Sequence, residues 1–86
     1  MNTERILEEL LSLLEANGVK IRRDNLGGSG GGMCKIKNEN FIFIDNQAAG
    51  IEKARVCAEA VAEYIDDLED IYLLPEIREF IENTRK

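Results

Sequence analysis

The sequence predicts one α+β domain over residues 1–86, with a small, mostly antiparallel three-stranded sheet, helices on one face, and the order α-β-β-β-α-α. Two observations predict this class. Apolar residues recur at three- and four-residue spacing near both ends of the chain, which is the period of an amphipathic helix. Between them, short segments either alternate apolar and polar residues or are apolar throughout, as strands do.

The first helix is predicted over residues 4–17, where leucine and isoleucine occupy one side and glutamate and serine mostly the other. Thr3 is the predicted N-cap, and Glu4 favours the positive end of the helix dipole. Asn17 and Gly18 end the helix, because glycine adopts the left-handed conformation at a C-terminal cap without steric cost.

Three strands are predicted next. Residues 19–22 alternate apolar and basic side chains, as a half-buried strand does. Residues 33–45 form a predicted β-hairpin that turns at residues 38–40. Its second strand is apolar at every position from 41 to 44, which is typical of a central strand or of one covered on both faces.

Two further helices complete the predicted domain. One runs from about residue 48 to residue 67, and alanines keep its buried face flat enough to lie close on a sheet. The predicted stripe consists of Ile51, Ala54, Ala58, Val61, Ala62, Ile65 and Leu68, bordered by Cys57 and Tyr64. Pro75 begins the last helix, where its missing N–H costs nothing.

The composition excludes several chemistries. The chain has no histidine, which excludes a Ser-His-Asp or Cys-His arrangement and an HExxH zinc site. Its 17 acidic and 11 basic residues give a formal charge of -6, which argues against nucleic-acid binding because phosphate contacts need a basic surface. We therefore expect no enzymatic activity, no cofactor, no metal and no nucleic-acid partner.

The same composition indicates a location. No apolar run is long enough to span a bilayer, and the N-terminus matches neither a signal peptide nor a transit peptide. Two cysteines are too few for a disulfide framework. We expect a cytoplasmic protein of bacterial type that does not contact membranes.

Charge is distributed unevenly along the chain. Residues 18–37 contain five basic side chains and one acidic one, whereas residues 59–82 contain nine acidic side chains opposed only by Arg78. One interpretation is two solvated faces. The other is self-association, head to tail or antiparallel, through surfaces of opposite charge.

A glycine-rich loop is the first candidate for a ligand or partner site. It consists of Gly27, Gly28, Ser29, Gly30, Gly31 and Gly32. Successive glycine N–H groups can form a nest for an anion. However, the loop lacks the Walker lysine, does not fit GxGxxG and leads into a strand. The alternatives are a flexible connection and a close approach by a partner strand or peptide.

Three smaller features complete the candidates. Cys34 and Ile36 are predicted to share the inward face of their strand, so that Cys34 would lie near Cys57 as a second buried small hydrophobe. Glu59 and Glu63 lie one turn apart, in an acidic run that is typical of a solvated face. A small interaction patch is predicted from three consecutive residues, Tyr72, Leu73 and Leu74.

Two resemblances add to these interpretations. Residues 26–34 (LGGSGGGMC), the strand at 41–45 and residues 74–79 (LPEIRE) resemble a family of short bacterial proteins without an assigned function. This resemblance implies a common fold and no particular activity. The element order also resembles the zincin-like metallopeptidase core. Residues 59–63 (EAVAE) would then occupy the HExxH position, which implies a degenerate core without zinc ligands or peptidase activity.

The leading hypothesis is therefore a non-catalytic protein-interaction module that associates with itself as a homodimer. Covering a sheet edge or the patch at 72–74 against another chain would stabilise so small a domain. A second hypothesis is a binder of small anionic ligands that uses the glycine loop with Arg22, Arg23 and Lys35. A third is an enzyme built on carboxylates or on Cys34.

Overall fold

The computed structural model describes residues 2–28 and 31–84. The elements follow the predicted order, and the protein is an α+β fold. They are α1 (Thr3–Ala16), β1 (Lys20–Asp24), β2 (Gly31–Ile36), β3 (Glu39–Asp45), α2 (Gly50–Tyr64), a short 3-10 helix (Leu68–Asp70) and α3 (Pro75–Thr84).

The three strands form a mixed sheet in the order β1-β3-β2. The predicted hairpin is confirmed, because β2 pairs with β3 antiparallel. The apolar run at 41–44 lies in β3, which is the central strand, as its sequence predicts. The first strand lies on the other side of β3 and is parallel to it, so only one of the two strand pairs is antiparallel.

The hairpin turn consists of Lys37 and Asn38, with φ angles of 49° and 68°. Two left-handed residues are the signature of a two-residue type I′ turn, whose twist matches that of the flanking strands. The turn therefore comes one residue earlier than predicted, and Glu39 and Asn40 are already part of β3.

The helix ends follow local capping rules, with two shifts from the prediction. The N-cap of α1 is Asn2 instead of Thr3, and its side-chain oxygen accepts the Arg5 N–H at 2.8 Å. Gly18, with a φ of 85°, ends α1 as predicted. The second helix is shorter than predicted, because the backbone becomes extended at Ile65. Pro75 begins α3, as predicted.

The core lies between one face of the sheet and the helices. Six of its largest side chains are almost fully buried, namely Leu10, Leu14, Ile42, Ile44, Val61 and Ile81. The buried stripe of α2 differs from the prediction at four residues. Ile51 is 54% exposed, whereas Cys57 is fully buried together with Val56 and Ala60. The buried face is wide because α2 contacts α1, α3 and the sheet at once.

No helix within the described ranges combines the length and the apolar character needed to cross a membrane.

Candidate functional site

The helices of the described residues pack against the face of the sheet that carries Ile42 and Ile44. The registers place Phe41 beside Lys20 and Cys34, and Phe43 beside Arg22 and Gly32, all on the side away from Ile42 and Ile44. We call this side the open face. Its members are Lys20, Arg22, Gly32, Cys34, Ile36, Phe41 and Phe43.

Two phenylalanines form the centre of the open face. The ring centroids of Phe41 and Phe43 are 6.5 Å apart, with an angle of 30° between the ring planes. Lys20 Nζ lies 5.8 Å from the centroid of the Phe41 ring, and Arg22 Cζ lies 5.5 Å from it. Both distances are within the range of cation–π attraction. Lys20 Nζ also forms an ion pair with Glu39 at 2.9 Å.

These cations cover one ring better than the other. Phe41 is only 8% exposed although it lies on the open face, whereas Phe43 is half-buried. Gly32 lies beside Phe43 and has no side chain, and a Cβ added there would meet nothing within 4 Å. The open face therefore has a vacant apolar position at the Phe43 end of β2.

The two outer strands differ in how their edges are protected. Four of the five residues of β1 are charged, namely Lys20, Arg22, Arg23 and Asp24. Charged side chains on an edge strand discourage pairing with another chain. By contrast, the first four residues of β2 carry no charge, and its outer edge has no strand partner among the described residues.

A groove separates this edge from α2. It is lined by Gly31, Gly32 and Met33 on the strand and by Arg55, Glu59 and Glu63 on the helix. We call it the edge groove. Its helix side carries two acidic side chains, Glu59 and Glu63, and one basic side chain, Arg55.

Ion pairs organise the helix side of the edge groove. The Arg55 guanidinium bonds Glu52 at 2.8 Å and also bonds Glu59. The hydrogen bond and the charge of Arg55 lower the pKa of Glu52, and the same contacts raise the pKa of Arg55. Glu63, one turn further on, has no ion-pair partner in the described part of the chain.

The structure places the Glu59 carboxylate in an ion pair with Arg55. Glu59 is half exposed and bonded to Arg55, and no group of three or more potential ligands within the described residues could hold a metal ion. The position that the zincin resemblance assigns to a zinc-binding helix is thus occupied by a surface ion-pair network.

The glycine-rich loop divides into two parts. Gly31 and Gly32 belong to β2 and not to a loop, which corrects the prediction, while Ser29 and Gly30 lie outside the described residues. Gly27 and Gly28 have left-handed φ angles of 74° and 87° in a turn. The correction has a tertiary cause, because pairing with β3 overrides the weak strand propensity of glycine.

The beginning of this loop is tied to the loop after β3. Asp45 is fully buried, and its Oδ1 accepts the N–H groups of Leu26 and Gln47, each at 2.9 Å. The Gly27 N–H donates to Gln47 Oε1 at 2.7 Å. The first N–H group of the predicted anion nest, that of Gly27, therefore donates to an oxygen of the protein itself. Sequence reasoning missed Asp45, whose signal is a carboxylate placed at the end of an apolar strand.

The two cysteines lie in different environments. Cys57 is fully buried, and desolvation raises the pKa of its thiol to about 12. Cys34 is exposed on the open face, so the prediction that it faces inward near Cys57 is wrong. Met33, opposite Ile42, takes the core-facing position of β2 instead. Alternation then directs Cys34 and Ile36 outward.

The segment between the 3-10 helix and α3 is fixed by contacts with the core and with Arg78. Leu73 and Leu74 are half-buried against the core, and only Tyr72 of the predicted patch projects, with 82% of its surface exposed. Arg78 donates to the carbonyl oxygens of Ile71 at 2.9 Å and Leu68 at 3.5 Å. Arg78 therefore braces this segment through backbone contacts.

The fold and this surface define a small α+β domain with a sheet covered on one side and one unprotected edge. No family model, curated protein or solved structure matches the chain.

Proposed function

We propose that this chain is a non-catalytic protein-interaction module of the bacterial cytoplasm that associates with itself. The observation that carries the proposal is the outer edge of β2, which is uncharged over its first four residues and unpaired within the described chain. Natural proteins usually protect such edges with charges, prolines or bulges, because an unprotected strand pairs with other chains. Here the opposite edge carries charges along almost its whole length, whereas the only charged residue of β2 is Lys35, near its end.

The size of the domain supports the proposal. A chain of 86 residues buries a modest core, and domains of this size gain stability by covering surface in an oligomer. Exposed Ile36 and half-buried Phe43 provide apolar surface beside the edge.

Charge supports a second copy of this chain as the partner. The basic residues 18–37 include β1 and β2, and the acidic residues 59–82 include the C-terminal part of α2. A surface that combines both charges is complementary to itself when it is rotated about a two-fold axis.

The positions of the reactive side chains support a non-catalytic role. The Cys57 thiol is buried and protonated at neutral pH, and Cys34 lies across the sheet from it. The Glu59 carboxylate is held by Arg55 at the surface. An active site needs a nucleophile, a base and oxyanion donors brought together, and these groups lie apart.

Native mass spectrometry of the protein gently purified from its own cells tests the proposal. We expect a homodimer of twice the 9.7 kDa chain mass, with no small-molecule adduct. Sedimentation equilibrium over a concentration series then gives its dissociation constant. A chain that stays monomeric at the highest attainable concentration, or a monomer that carries a discrete ligand, would overturn the proposal.

A further inference from the structure

We propose that two copies pair antiparallel through the outer edges of β2, centred on Cys34, so that their sheets join into one continuous six-stranded sheet. This inference rests on the proposed self-association and names its interface. Three independent features support it: the direction of the backbone hydrogen-bonding groups, the charge of the edge groove and the vacant position on the open face.

The backbone of β2 determines which groups are available for pairing. A two-residue hairpin turn is closed by a hydrogen-bonded pair, which here is Ile36 with Glu39. Hydrogen-bonded and non-hydrogen-bonded pairs alternate along an antiparallel ladder. Cys34 therefore bonds inward to Phe41, while the N–H and C=O groups of Met33 and Lys35 point to the outer edge.

A two-fold axis can match these groups in few registers. Centring on Cys34 pairs Met33 with the partner's Lys35 in both directions, and all of these residues have regular strand geometry. Centring on Met33 would require Gly31 to bond the partner's Lys35, but the φ of Gly31 is 99°, far from a strand value. Centring on Lys35 would place two lysines directly opposite each other, which is destabilising.

The charge of the edge groove matches this register. Lys35 lies on the helix side of β2, as Met33 does, and both face away from Cys34. The partner's Lys35, opposite Met33, would therefore enter the edge groove that Met33 lines together with Glu59 and Glu63. Since Glu59 is already paired with Arg55, Glu63 is the carboxylate available to the incoming ammonium group.

The side chains of the open face also fit the register centred on Cys34. In the same register, the partner's Ile36 lies opposite Gly32, at the vacant position beside Phe43. Ile36 is 44% exposed in the single chain. Its side chain would cover the half-buried Phe43 ring, so two exposed apolar groups would be removed from water on each side of the axis.

Cysteine cross-linking of the complete wild-type chain tests the pairing. Cys34 and its symmetry mate would form a non-hydrogen-bonded pair with Cα atoms about 4.5 Å apart, which lies within the roughly 4.4–6.8 Å span of disulfides. Diamide, which accepts the two electrons and two protons of the thiols, should convert the dimer into a Cys34–Cys34 disulfide while Cys57 stays reduced. Cys34→Ser should abolish the product.

Charge exchange tests the register independently. Lys35→Glu would place a carboxylate beside Glu63 on both sides of the axis, and we expect the dimer to dissociate about tenfold more readily. The double variant Lys35→Glu with Glu63→Lys should restore the wild-type dissociation constant. Lys53→Glu makes the same charge change on α2 outside the residues that line the edge groove, and it should leave the constant unchanged.

The outcomes separate the two proposals. A dimer that forms no Cys34 disulfide and is insensitive to Lys35→Glu would overturn the edge pairing and leave self-association standing. A chain that is monomeric at every concentration would overturn both. The cross-linking experiment uses the wild-type chain, so its result does not depend on whether any variant folds.

Discussion

Gly31 is the position where the structure predicts the sharpest response to a single added methyl group. A Cβ at this position would lie 1.9 Å from the Phe43 carbonyl oxygen and 2.8 Å from the Phe43 carbonyl carbon. Both atoms belong to the backbone of the central strand and cannot rotate away. The φ of Gly31, 99°, is also one that other residues rarely adopt. Gly31→Ala therefore meets two separate penalties.

The size of the effect follows from these two penalties. Holding alanine in a sparsely populated backbone conformation costs about 1–3 kcal/mol. Relieving the contact requires β2 or β3 to move by about 1 Å, and comparable overpacking costs about 1–3 kcal/mol. We expect Gly31→Ala to lower the free energy of unfolding by about 2–6 kcal/mol. A domain of this size has about 4–13 kcal/mol in total, so the loss would be a large fraction of it.

Gly32→Ala is the matched control. It adds the same methyl group to the next residue, where a Cβ meets nothing within 4 Å and φ is not positive. Restricting the unfolded chain there should leave stability unchanged or raise it by up to about 1 kcal/mol. Urea unfolding followed by far-ultraviolet circular dichroism, at concentrations where the chain is monomeric, compares the two. Coincident unfolding midpoints for the two variants would refute the reasoning.

Three further predictions concern buried or stacked groups. Because burial raises the pKa of Cys57 to about 12 from an ordinary value of 9.0, the unfolded chain ionises first. Stability should then fall by up to about 1.4 kcal/mol per pH unit above pH 9, and Cys57→Ala should remove this slope in pH-dependent urea unfolding. Asp45→Asn should cost about 1–3 kcal/mol, because the buried Oδ1 accepts the Leu26 and Gln47 N–H groups as a charged carboxylate oxygen and a neutral amide oxygen accepts them more weakly; an unchanged thermal midpoint would contradict this. Arg22→Ala should cost about 0.5–1 kcal/mol through loss of the contact with Phe41, whereas Arg22→Lys should retain part of it in the same thermal assay.

Local signals predicted most of the elements. Apolar spacing located α1, and Gly18 and Pro75 marked a helix end and a helix start, because their backbone preferences act without tertiary help. The alternation at 33–37 and the apolar run at 41–44 predicted the hairpin for the same reason. These elements depend on neighbours within a few residues, which one sequence contains.

Local sequence signals could not predict the order of the strands in the sheet or which side chains of β2 face the helices. Nothing in residues 19–22 specifies that β1 lies parallel to β3 on the side opposite β2. Alternation divides β2 into two sets of side chains but does not say which set faces the helices. Met33, opposite Ile42, decides this through tertiary packing, and Cys34 is therefore exposed.

The choice of Met33 as the inward residue also determines the surface of the candidate site. Once Met33 points to the helices, Lys35 must share its side and Cys34 and Ile36 must face out. The two-residue turn independently directs the N–H and C=O groups of Met33 and Lys35 to the outer edge. The outer edge of β2 therefore carries free backbone groups, Lys35 on the helix side and Ile36 on the open face. The acidic edge groove is complementary to Lys35, and the vacant position beside Phe43 is complementary to Ile36. A partner strand of different sequence would need its own outward backbone groups, a lysine and an apolar side chain at the same three places. A second copy of β2 supplies all of these by symmetry.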